Sequence, residues 1–73
     1  MQIWPNPASE RVFVQVVGNS KPMRYSISSI AGSAVLRGSV GVGQGIDVSG
    51  LPNGAYLLHV HTVGARPRLL LKQ

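Results

Sequence analysis

The sequence predicts an all-β domain, an antiparallel sandwich or barrel of about seven short strands, and three observations carry that reading. Short runs with alternating apolar residues recur roughly every ten residues. The stretches between them are punctuated by Gly, Pro, Asn and Ser, the residues that turn a chain. No segment keeps the helical apolar period long enough to bury one face of a helix.

Each element follows from its residues. Ile3-Trp4 reads as the end of an entering strand, stopped by Pro5-Asn6-Pro7. Neither proline can donate to a ladder, and Asn6 before a proline is pushed away from helix. Trp4 beside this turn is expected to plug the core. Residues 11–17 alternate Val12, Val14 and Val16 on one face with Phe13, Gln15 and Val17 on the other, which suits a central strand. Residues 23–30 turn Met23, Tyr25 and Ile27 inward and Arg24, Ser26 and Ser28 to water. Ala31-Gly32-Ser33 is a tight turn whose glycine is expected at positive φ, and Ala34 to Arg37 returns as the hairpin partner. Residues 38–45, with four glycines, read as a mobile connection. Ile46-Asp47-Val48 is a short strand.

The most informative stretch follows. Gly50-Leu51-Pro52-Asn53-Gly54 is a turn, with Gly54 a second candidate for positive φ. Tyr56, Leu58 and Val60 then alternate onto one face. A tyrosine just after such a turn can fold back and bond its hydroxyl to backbone upstream, the tyrosine corner of Greek-key sandwiches. The Pro52 carbonyl is the expected acceptor. Val63-Gly64-Ala65 makes a hairpin loop and residues 66–72 the last strand, with Pro67 on an edge or ahead of the pairing. Leu69 and Leu71 are expected to dock on the core while Arg68 and Lys72 stay wet.

Composition narrows the function. At 73 residues the chain is one domain, 1–73, and its 44% hydrophobic and 12% charged residues are those of a globular protein. Its longest apolar runs fall far short of the roughly 20 residues of a membrane helix, and its opening residues lack the pattern of a secretory leader. The net charge of +5 would suit an acidic partner, yet the cations are scattered and few aromatics interleave with them, so no nucleic-acid interface is read. His59 and His61 share a strand face, but neither Glu10 nor Asp47 is brought near them by the sequence, so no metal or other cofactor is assigned. Two carboxylates and no nucleophile elbow leave little for catalysis, and the reading is a non-enzyme. Gly41-Val42-Gly43-Gln44-Gly45 is no nucleotide fingerprint, because no helix follows.

Four segments in order carry a resemblance: Trp4-Pro5-Asn6-Pro7-Ala8-Ser9, the strand-turn-strand around Gly32, Gly50-Leu51-Pro52-Asn53-Gly54-Ala55-Tyr56, and the closing Leu69-Leu70-Leu71-Lys72-Gln73. Together they resemble the C-terminal sorting domain of the type IX (Por) secretion system of Bacteroidetes. Ser28, Ser29 and Ser33 depart from the family's usual residues around the hairpin glycine. The resemblance implies an immunoglobulin-like sandwich excised from a larger secreted protein. It implies a non-catalytic signal that leads an upstream, covalently linked cargo through the periplasm and across the outer membrane. Its partners would be the translocon and shuttle proteins, and a cell-surface sortase that removes the domain and joins the cargo to anionic lipopolysaccharide. Leu69, Leu70, Leu71, Lys72 and Gln73 would be the segment read, and Pro5, Asn6, Pro7, Gly32, Gly50, Leu51, Pro52, Gly54 and Tyr56 mainly structural. Edge strands would serve partners by strand addition, and a terminal edge strand that pairs or swaps would give a homodimer. The alternative is an adhesive or carbohydrate-binding module of a cell-surface protein, since fold alone does not fix function.

Overall fold

The computed structural model describes residues 2–16, 18, 21–41, 43–62 and 66–73. Seven strands follow in order: β1 (Gln2–Trp4), β2 (Arg11–Gln15), β3 (Met23–Ser29), β4 (Ala34–Val40), β5 (Gly45–Asp47), β6 (Gly54–Val60) and β7 (Arg68–Lys72). They form two antiparallel sheets, β1-β2-β5 and β4-β3-β6-β7. This is an immunoglobulin-like sandwich in which the fourth strand pairs with the third, as the added strands of variable-type domains do.

The core lies between the sheets, where the expected alternation supplies it. Val12 and Val14 of the first sheet meet Met23, Ile27, Tyr56, Leu58 and Val60 of the second, all buried. Leu51, in the turn before β6, packs against this cluster. β2 is central, and its outward residue Phe13 is put to use there. The ring stacks on Trp4, its cross-strand partner, at a centroid distance of 5.9 Å. On its other side stands Gly45, where a Cβ would come within 3.1 Å of the ring. Trp4 is therefore on the outer face, 45% exposed, and not the core plug expected of it. Side chains alternate along a strand, so with Ile3 packed on the core its neighbour Trp4 faces outward.

The expected loop from Gly38 to Gly45 is shorter than its glycines suggest. β4 runs on through Gly38 to Val40, opposite Tyr25 to Met23, and Val40 is buried. Tyr25 explains the glycine. A Cβ on Gly38 would meet the Tyr25 hydroxyl at 2.8 Å, so this aromatic covers its cross-strand glycine and restores the packing that Gly38 lacks. Val48, placed by the sequence in the following strand, lies just beyond β5, buried, with its N–H donating to the Glu10 carbonyl. Asp47 caps that bend by accepting from the Ser49 hydroxyl at 2.7 Å and the Ser49 N–H at 2.9 Å, which holds its carboxyl below the usual range. The loop expected at Val63-Gly64-Ala65 lies outside the described residues.

Two turns stand as expected. Gly32 has φ +99°, and Gly54 also has positive φ. Tyr56 donates its hydroxyl to the Pro52 carbonyl at 2.6 Å, closing the tyrosine corner at the start of β6. Replacing Tyr56 by Phe removes that bond alone and is expected to cost about 0.5–1.5 kcal/mol in a denaturant titration, with an unshifted midpoint contradicting the corner. Nothing lies within 4 Å of a Cβ built on Gly32, so the cost of Gly32→Ala is purely one of backbone strain, of order 1–3 kcal/mol. Gly50 is equally open but has ordinary φ, and Gly50→Ala should move the melting transition by no more than about 0.5 kcal/mol.

Candidate functional site: the last strand and its clamp

β7 closes the four-stranded sheet beside β6, with Leu70 opposite Tyr56 and Lys72 opposite Gly54. This register decides which way its side chains point. Tyr56 and Gly54 belong to the inward row of β6, so Leu70 and Lys72 turn inward as well. Leu70 is fully buried and Lys72 is 7% exposed, whereas Leu69 and Leu71 stand out at 51% and 39%. The phase expected from sequence is thus inverted, because a leucine run reads equally well in either phase. Lys72 does not break the rule against buried charge. Its ammonium is satisfied by donating to the Gln73 carbonyl at 3.1 Å. Gln73 itself is exposed.

An edge strand leaves one row of backbone groups without a neighbour. On β7 that row is filled by the segment linking β1 and β2. Prolines 5 and 7 strip this segment of two backbone donors, and the Asn6 carboxamide supplies what they cannot. Its Nδ2 donates to the Leu69 carbonyl and its Oδ1 accepts the Leu71 N–H, each at 3.0 Å. One residue beyond Pro7, backbone takes over: the Ala8 N–H donates to the Leu71 carbonyl and the Gln73 N–H donates to the Ala8 carbonyl, both at 2.8 Å. The Ala8 side chain is fully buried, which fixes this parallel bridge to the core. Asn6 and Ala8 thereby clamp β7, a role sequence reasoning did not assign to Asn6. The clue was present: an Asn between two prolines is the only polar side chain of Pro5-Asn6-Pro7-Ala8.

The structure joins the first and last motifs and keeps the others apart from them. Gly32 sits in the β3–β4 turn, where its N–H donates to the Ser29 carbonyl. Gly50, Leu51 and Pro52 build the turn under Tyr56, and Gly54 opens β6 against Lys72. Strand addition at the outer edge of β7 is blocked by Asn6 and Ala8, contrary to the general expectation for an edge. The His59 and His61 rings lie 4.5 Å apart at a 50° tilt, His61 bonding Ser26, with no third ligand beside them among the described residues. Among the described residues no helix is long and apolar enough to cross a membrane.

A family model described as the secretion system C-terminal sorting domain matches residues 2–67, ending at the proline before β7. No curated protein and no solved structure matches the chain.

The clamp makes a local prediction. Asn6→Ala exposes the Leu69 carbonyl and Leu71 N–H to water, with a loss of about 0.5–1.5 kcal/mol per bond. Hydrogen exchange at the Leu71 amide should accelerate far more than at the Leu58 amide, in the centre of β6. Equal acceleration at both would mean that Asn6 supports the whole fold and not this strand.

Proposed function

Because the chain belongs to the C-terminal sorting domains of the type IX secretion system of Bacteroidetes, a signal for export to the cell surface or beyond, we propose that its last strand is the part the apparatus reads. The supporting observation is the pairing of an outer edge bonded from the Leu69 carbonyl to the Gln73 N–H with exposed leucines on β7. A receptor that added a strand here would first have to displace Asn6 and Ala8. One that gripped Leu69, Leu71 and Gln73 from outside would find them already ordered, with little entropy left to lose. Leu70 and Lys72 serve by packing.

In this reading the domain is a non-catalytic address on a cargo linked upstream. It is handed from periplasmic shuttle proteins to the outer-membrane translocon. At the surface a sortase removes it and joins the cargo to anionic lipopolysaccharide. A second reading, a carbohydrate-binding module, draws support from Trp4, which is exposed and stiffened by Phe13 as a sugar-stacking face would be.

The test fuses this chain to a reporter in a type IX-competent host. Leu69→Ser with Leu71→Ser changes exposed side chains only, so the melting transition should move by no more than about 1 kcal/mol while surface delivery falls at least tenfold. Undiminished delivery from the folded double variant would remove β7 from the recognition surface. Undiminished delivery together with glycan binding lost in Trp4→Ala would favour the carbohydrate module.

A further inference from the structure

The sheet that ends in the clamped β7 has a second edge, and that edge is open. β4 stands at the far side of β3 with no strand beyond it among the described residues. It has seven residues, against three each for β1 and β5, the outer strands of the other sheet. The β3–β4 pairing shifts between Ile27 and Ser28, which leaves Leu36 to Val40 as a regular run. Along it Val40 is buried and Leu36 packs on the core, so the inward row is Leu36, Gly38 and Val40 and the outward row is Arg37 and Ser39.

The charge on that outward row has no counterpart nearby. Arg24 opposes Ser39 and Arg37 opposes Ser26, so the two arginines are diagonal neighbours on one face. With Ser26, Ser28 and His61 they line an open groove that runs across β3 and β4. The four strands of this sheet contain no acidic residue at all. Both carboxylates belong to the other sheet, Asp47 on β5 opposite Arg11 and Glu10 just ahead of β2. Cations on an edge strand usually repel other strands. Here they select among them: a strand bringing carboxylates to the outward row would meet guanidinium forks suited to bidentate bonds.

We propose that the free edge of β4 takes an extended acidic peptide by strand addition, with its carboxylate side chains over Arg37 and Arg24 and its apolar ones continuing the row of Leu36, Gly38 and Val40. A second copy of this chain is a poorer occupant. Pairing β4 with β4 would extend the face with the same arginines and bring no carboxylate to them. The surface lies at the opposite side of the sheet from β7, and the proposal stands whether or not β7 is read.

The experiment follows backbone amide signals of the isotope-labelled chain during titration with acetyl-Val-Glu-Val-Glu-Val-amide. Saturable shifts are expected at residues 36–40, with binding at least tenfold weaker for the peptide in which Lys replaces Glu. Two further peptides, N-methylated at both Glu or at all three Val, divide the backbone by edge. One of them should lose binding at least tenfold, because an added strand bonds through one edge only. Arg37→Glu, an exposed position, should reverse the preference between the acidic and basic peptides. Absence of shifts at residues 36–40 at millimolar peptide, equal binding of the acidic and basic peptides, or full binding by both N-methylated peptides would each overturn the proposal.

Discussion

The carboxamide of Asn6 is the interaction on which the order of β7 depends. A seven-stranded sandwich of 73 residues has little core to spare, and a terminal strand of five residues would fray if only one edge were bonded. Asn6 imitates a strand for one residue, donating and accepting where backbone would. Its reach lets a segment that belongs to the β1–β2 connection hold a strand of the opposite sheet. Ala8 completes the bridge, and its buried methyl ties the contact to the core. The sandwich is thus laced at the side where it would otherwise gape, with no disulfide to do so.

Once β7 is held, its register on β6 is fixed. Lys72 opposite Gly54 and Leu70 opposite Tyr56 set the last strand against the tyrosine corner, so the turn built by Leu51 and Pro52 and the clamp built by Asn6 stabilise the same pair of strands from two ends. The consequence for recognition is a division of labour along β7. Alternate residues fill the core and the others face outward on a strand whose outer edge is bonded from the Leu69 carbonyl to the Gln73 N–H. The opposite edge, β4, has unpaired backbone and a face of unbalanced positive charge. One sheet therefore carries two surfaces of different chemistry, an aliphatic one and a cationic one.

Much of this was legible in the sequence. The all-β architecture, the placing of Tyr56 against Pro52 and the positive φ of Gly32 and Gly54 follow from local residues, because a turn's demands on φ and a strand's alternation are local properties. Three features were not. The phase of β7 was misread because Leu69-Leu70-Leu71 satisfies either face, and only pairing with β6 breaks the tie. Trp4 was placed inside because large aromatics usually are, whereas its cross-strand contact with Phe13 keeps it on the outer face. The clamp lies between residues more than sixty positions apart, a distance at which no pattern of residues announces a hydrogen bond. The loop glycines misled in a further way, since Gly38 is a strand residue whose missing side chain is covered by Tyr25.

The central claim is that an ordered, clamped β7 is the form the secretion apparatus reads. It is tested most directly by comparing two quantities across a graded series at Asn6, to Gln, Asp, Ser and Ala: Leu71 amide protection in the isolated chain and the rate of reporter export from the fused chain. If the account holds, export falls in step with protection while the Leu58 amide, at the centre of the fold, stays protected throughout. Export that is constant while Leu71 protection collapses would show that the apparatus reads a frayed strand or another surface, and would contradict it.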